Sequence, residues 1–264
     1  MLELSFPGPG VGVSLHNHSN WSDGVLPLED LCRAAKSAGF RVFGISDHWV
    51  LPPIPNMDSE EWSMRLDRIG GYSDDALRVR SLLQDSSFQF LIGLEVDYFH
   101  ENHIQVAERL SKYPFDYLIG SVHSSGEFSI DHDIADWKGL SQSKIDSIWD
   151  VYWSKMQGNA KWDFVQIIGH FDLPKKFGYK PSCDQFDRAV SVLETIRDNG
   201  KAIELNTAGW SKECHEQYPS LRLLKVACQM RIPVVISADA HYAEHLTRNF
   251  DRAIQILREA GYPL

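Results

Sequence analysis

Cysteine is scarce and unpaired in this chain: Cys32, Cys183, Cys214 and Cys228 are scattered through 264 residues without Cys-x-x-Cys spacing. That pattern speaks against a zinc ribbon and points to reduced thiols in a cytoplasmic protein. No apolar run approaches 18 residues, so no simple membrane span is expected. The opening MLELSFPGPG lacks a basic stretch followed by an apolar one, and no secretion signal is read from it. Basic residues are outnumbered 26 to 36 by acidic ones, and no Lys/Arg-rich run offsets the formal net charge of −10. A nucleic-acid backbone is therefore a poor partner. Gly-x-Gly-x-x-Gly, the P-loop and the Gly-x-Ser-x-Gly elbow are all missing. His100 and His103 stand three apart rather than the four a zincin helix needs.

No repeat, low-complexity tract or long linker divides the chain, and its 43% hydrophobic content can fill a full core, so residues 1–264 read as one domain. A short apolar run followed by a longer segment with helical spacing recurs seven times. The runs cover residues 11–16, 41–46, 88–96, 115–123, 164–170, 201–206 and 233–239. They are nearly continuous in Val, Ile, Leu and Phe, as strands buried on both faces should be. Between them, Leu28, Leu31, Cys32 and Ala35 share one helical face. Phe186, Ala189, Val190, Leu193 and Ile196 share another, after a Ser182–Gln185 capping box and before a stop at Gly200. The pattern predicts an α/β fold, a distorted seven-stranded (β/α)7 barrel in preference to an open doubly wound sheet. Residues 124–139 show no period and read as a long loop near the site.

The chemistry sits where the strands stop. His16 and His18 close the first strand, His48 follows the second, Glu95 ends the third, His123 the fourth and His170 the fifth. Asp239 and His241 end the seventh, while the sixth ends in Asn206. Strand C-termini of a parallel barrel share one face, and active sites are built there. Residues two apart on a strand point the same way, so His16/His18 and Asp239/His241 each supply a pair. One histidine at a strand end is commonly a structural hydrogen-bonding residue. Ligand-type residues at six of seven ends would be very costly to bury without a metal. Imidazole and carboxylate without thiolate suit zinc, manganese or iron. Eight ligands exceed what one tetrahedral ion uses, so two or three divalent ions with Glu95 as bridge are expected. Asp23 is either a ninth ligand or an ordinary turn aspartate. His132 reads as a solvated loop residue or as a contribution from a loop overhanging the site, His215 and His245 as surface residues, and Trp21, Trp137 and Trp149 as packing, with pocket-lining the alternative for Trp21 and Trp137.

These motifs resemble, in order, those of the polymerase-and-histidinol-phosphatase (PHP) superfamily: His16-x-His18, Ser46-Asp47-His48, Gly93-Leu94-Glu95, Gly-Ser-Val-His123, Gly-His170-Phe-Asp172-Leu and Ser-Ala-Asp239-Ala-His241. The resemblance covers essentially the whole chain and implies a distorted seven-stranded barrel with a trinuclear metal site. It assigns His16, His18, Glu95 and Asp239 to one ion and Glu95, His123 and His170 to a second. His48 and His241, with Asp23, fall to a third. Gly-Leu-Glu-Val-Asp-Tyr (93–98), Gly-His-Phe-Asp-Leu (169–173) and Leu-Asn-Thr-Ala-Gly (205–209) are similar to the branch of monofunctional histidinol-phosphate phosphatases. That likeness implies hydrolysis of L-histidinol phosphate to L-histidinol and phosphate. The branch usually has a phosphate-gripping arginine just after Gly-His-Phe-Asp-Leu, where this chain has Pro174-Lys175-Lys176.

The expected activity is therefore metal-assisted hydrolysis of a small-molecule phosphate monoester. Lys175 or Lys176 would supply charge to the phosphate, as alternatives to a solvated pair. Asp97 and Asn206 would face a cationic substrate or support the ligands. Competing readings are a PHP phosphoesterase acting on another metabolite or nucleotide, a metal-dependent amide or ester hydrolase, and a non-catalytic module attached to a polymerase.

Overall fold

Strands without polar alternation must be covered on both faces, and in the computed structural model they form a parallel sheet wrapped by helices. The structure describes residues 12–53 and 61–263; residue 11 of the first expected strand and the ten residues before it lie outside them. The order is β1 (Val13–Ser14), α1 (Leu28–Ser37), β2 (Val42–Ile45), β3 (His48–Trp49), α2 (Ile69–Leu83), β4 (Gln89–Asp97), α3 (His103–Leu110) and β5 (Tyr117–Ser121). Then come β6 (Ser124–Ser125), β7 (Phe128–Ser129), α4 (Ile134–Trp137), α5 (Gln142–Lys161), β8 (Ile167–Ile168) and α6 (Phe186–Asp198). β9 (Ala202–Asn206), α7 (Leu221–Gln229), β10 (Val234–Ser237) and α8 (Phe250–Ala260) complete the chain.

The sheet runs β1-β2-β4-β5-β8-β9-β10, with β3 also paired to β4. β2 and β3 are two pieces of one strand, because Ile45 aligns with Ile92 and His48 with Glu95 along the same neighbour. The expected seven barrel strands are thus present. The barrel nearly closes through a parallel bridge between Asn17 and Ala240, where His18 N donates to Ala240 O at 2.9 Å.

Helices pack outside by their apolar faces. α1 buries Leu28, Leu31, Cys32 and Ala35, as its spacing predicts. α6 stops before Gly200, which takes the left-handed φ of +64°. Its start differs from the expected capping box. Ser182 is recruited by Asp146, its Oγ donating to Oδ2 at 2.7 Å, and Asp184 Oδ1 accepts from Phe186 N at 3.0 Å instead. Residues 124–139 are also not a plain loop, since they hold the β6–β7 hairpin and the four-residue α4. Elements this short cannot display a period.

A small apolar cluster that includes Leu15, Leu91, Tyr117, Ile119 and Ile167 packs together, with Tyr117 the largest member. The Tyr117 hydroxyl lies 2.5 Å from Leu15 O and 3.0 Å from Ile45 O. Its ring leaves no room for neighbouring side chains: a Cβ at Gly93 would stand 2.6 Å from Tyr117 Cζ, and one at Gly44 2.3 Å from its hydroxyl. Gly93→Ala is therefore expected to cost about 1–3 kcal/mol of stability by overpacking, read from the urea midpoint. An unchanged midpoint would show that the interior yields at no cost.

Candidate metal centre

Parallel pairing puts the strand C-termini on one face, and the buried polar residues gather there. His16 and His18 follow β1, His48 opens β3, Glu95 lies in β4, His123 follows β5, His170 follows β8, and Asp239 and His241 follow β10. Glu95 is 1% exposed. Its Oε2 lies 2.9 Å from His16 Nε2, 2.9 Å from His48 Nδ1 and 3.6 Å from His18 Nε2. Its Oε1 lies 2.9 Å from His170 Nε2 and 3.4 Å from His123 Nε2. One carboxylate thus presents an oxygen to each of two histidine groups.

Asp239 Oδ1 stands 3.2 Å from His18 Nε2 and 3.7 Å from His16 Nε2. Its backbone is left-handed, with φ +52°, a costly conformation for a residue with a Cβ. Arg248 Nη2 steadies that turn by donating to Ala238 O at 2.7 Å. Asp23 Oδ2 lies 3.0 Å from His241 Nε2 and 3.8 Å from His48 Nε2, so Asp23 belongs to the cluster and does not cap α1. The loop carrying it turns tightly enough that a Cβ on Gly24 would sit 2.1 Å from His18 O. Asp47 holds that loop by accepting from Ser19 N at 2.8 Å, Ser19 Oγ at 2.7 Å and Ser22 Oγ at 2.6 Å.

Among the described residues, three overlapping donor sets have all their atoms within 4.8 Å of one another: His18, Asp23, His48 and His241; His16, His18 and Glu95; and His48, Glu95 and His123. His123 Nε2 and His170 Nε2 face each other at 3.1 Å. Among the described residues neither ring nitrogen of the fully buried His18 has a hydrogen-bond partner of proper geometry, although Asp239 Oδ1 approaches Nε2. Buried imidazole nitrogens without partners, beside carboxylates, fit divalent cations.

Burial and the neighbouring His241 and His48 push His18 down to about 3, which favours its neutral imidazole. Burial opposes charge on His123 too, but Asp97 and Glu95 carry it up to about 10. His241 rises to about 9 against burial through its hydrogen bond to Asp23 and the charge of Asp239. Glu95 is held well below the ordinary carboxylate range, burial being outweighed by His16, His48 and His123.

The expected substrate contacts separate. Lys175 Nζ is spent on Asp172 Oδ2 at 2.9 Å, Glu216 Oε2 at 2.7 Å and Gln217 O at 2.7 Å, and it does not line the cleft over the cluster. Lys176 does line it, anchored to Asp131 O at 2.6 Å. Asp97 sits behind His123, its Oδ1 2.5 Å from Nδ1, and Asn206 Nδ2 lies 3.1 Å from Glu204 and 3.2 Å from Asp239. The cleft, about 400 Å³, is also lined by Trp62, Asp131, Lys212 and Arg248, which sequence reading missed. His245, expected on the surface, is half-buried and lines it too. Glu204 is the other omission: its Oε1 lies 2.7 Å from His16 Nδ1. Its place two residues before Asn206 on one strand was the available signal.

The PHP domain model matches residues 14–208. The chain belongs to the PHP domain family. Among relatives of this PHP chain, a protein of Deinococcus radiodurans named probable histidinol-phosphatase is 29% identical over 88% of this chain and 86% of its own. One of Schizosaccharomyces pombe with the same name is 26% identical over 94% and 87%. The solved histidinol phosphate phosphatase of Lactococcus lactis, complexed with zinc, L-histidinol and phosphate, superposes with a TM-score of 0.75 at 18% identity, covering 95% of this chain and 94% of that one. That likeness shows a shared PHP fold.

If His123 and His241 ligate a metal, binding would displace the protons that their raised pKa values favour in the metal-free PHP domain at neutral pH. Affinity for zinc is expected to rise between pH 7 and 9 with net proton release, read by calorimetry in buffers of different ionisation enthalpy. Binding without proton release would contradict the charge pattern above.

Proposed function

We propose that the chain is a metal-dependent phosphomonoesterase whose substrate is L-histidinol phosphate. The observation that carries this reading is Glu95, one carboxylate with an oxygen toward each of two histidine groups, buried behind His48, His123 and His170, which line a cleft that also presents cations. Two or three divalent ions, zinc, manganese or iron by donor chemistry, are assigned to His16, His18, Glu95 and Asp239, to Glu95, His123 and His170, and to His48, His241 and Asp23. Bound there, such ions lower the pKa of water and neutralise charge on a phosphoryl group.

The chain's own cations complete a phosphate site. The Lys212 ammonium has no hydrogen-bond or ion-pair partner among the described residues, and burial together with Lys176 and Arg248 lowers its pKa. Arg248 Nε is buried and unpartnered among the described residues. An anion between Lys176, Lys212 and Arg248 relieves their mutual repulsion and satisfies those donors. Lys175 takes no part. Histidinol phosphate as substrate is supported by the names of the relatives and by the ligands in the Lactococcus lactis structure.

Chelation is expected to abolish phosphate release, and zinc or manganese to restore it. Glu95→Gln should leave a folded but inactive protein, because its oxygens serve both histidine groups; full activity after chelation would defeat this reading. kcat/KM for histidinol phosphate should exceed that for an aryl phosphate at least about a hundredfold, since distal contacts spend binding energy in the transition state. A sugar phosphate as the better substrate overturns the histidinol assignment and leaves the phosphatase standing.

For the cations, Lys212→Ala should raise KM for every monoester about tenfold, whereas Lys175→Ala should leave KM unchanged at equal fold content. Equal effects of the two substitutions would remove Lys212 from the phosphate site.

A further inference from the structure

Six of the seven barrel strands end in residues of the metal cluster, and β9 does not. Its inward pair, Glu204 and Asn206, is fully buried. Glu204 Oε1 lies 2.7 Å from His16 Nδ1, and Oε2 accepts from His170 N at 2.8 Å and from Asn206 Nδ2 at 3.1 Å. Asn206 Nδ2 is also 3.2 Å from Asp239 Oδ2, while its Oδ1 accepts from Ala208 N at 2.9 Å. One side-chain pair therefore touches residues that follow β1, β8 and β10: His16 and Asp239 of one donor group and His170 of another.

A carboxylate this buried, with no lysine or arginine at ion-pair distance among the described residues, is costly to keep for packing alone. We infer that Glu204, with Asn206 as its extension, is the positioning residue that aligns His16, His170 and Asp239 for metal binding. The inference rests on the metal-centre reading above. Its physical content is directional. Nδ1–H of His16 donating to Glu204 leaves the Nε2 lone pair pointing at the cluster, where Glu95 and Asp239 lie. The bond from His170 N fixes the backbone that aims the His170 ring toward Glu95 Oε1. The same carboxylate sets both orientations, so the two donor groups are held in one register.

Glu204→Gln keeps the volume but offers one oxygen to three N–H donors and turns an NH2 toward at least one of them. Zinc competition against a chromogenic chelator is expected to show binding weakened 10–100-fold. The visible spectrum of the cobalt-loaded protein should change with it. A purely structural role would instead lower the melting temperature of the metal-free protein and leave both readouts as in the wild type. Wild-type zinc affinity in folded Glu204→Gln overturns the inference. Should that variant not fold, Asn206→Ala tests the other end of the chain of bonds. About tenfold weaker zinc binding is expected there, and an unchanged affinity overturns the inference equally. Failure of the wild-type protein to bind zinc would instead defeat the metal-centre reading itself.

Discussion

Glu95 is a carboxylate 1% exposed, with five imidazoles within 3.6 Å of its two oxygens. Removing such a charge from water costs several kcal/mol unless positive partners are supplied. In the protein alone, protonated imidazoles supply them; with metals, cations do. Either way, the two oxygens point to opposite groups, so those groups must sit at a fixed spacing on both sides of β4. β4 is a nine-residue strand paired to β2 and β3 on one edge and β5 on the other. The barrel is the device that brings His48 and His123 to the same carboxylate from those two edges.

Holding that spacing has local costs, and the structure meets each with named contacts. The strand before His48 breaks at Ser46-Asp47, and Glu95 N reaches both Ser46 O at 3.1 Å and Asp47 O at 3.2 Å across the break. The freed Asp47 carboxylate gathers the serines of the loop that carries Asp23. The left-handed turn at Asp239 is kept by Arg248 on one side and by Asn206 on the other. Strain at Asp239 persists because its surroundings over-determine it.

Much of this was legible in the sequence because strand ends are where a parallel barrel concentrates chemistry. Continuous apolar runs marked the strands, and His16 through His241 marked the face they share. What escaped was set by tertiary contact. Lys175 and Lys176 are adjacent and chemically identical, yet Lys175 is captured by Asp172 and Glu216 while Lys176 is turned to the cleft by Asp131. Lys212, Arg248 and Trp62 belong to no motif, and distant stretches of chain bring them to the cleft. Ser182 would cap a helix if Asp146, on α5, did not bind it first. Residues 124–139 concealed two-residue strands and a single helical turn, below the length at which periodicity exists.

The division of labour in the cleft follows from these placements. On the proposed reading, metals at the strand ends would serve the phosphoryl group of any monoester alike, and so would the point charges of Lys176 and Lys212, since an ammonium lacks the planar fork by which arginine selects geometry. Neither element distinguishes one alcohol from another. Discrimination must come from walls that contact the leaving group. Trp62 stands 4.9 Å from the His48 ring and 5.5 Å from the His123 ring, and Ser129 and Asp131 arrive on the segment that follows β6. These residues sit outside the shared motifs. On the proposed reading the strand ends would carry the reaction, and the segments between strands that bring Trp62, Ser129 and Asp131 to the cleft would choose the substrate.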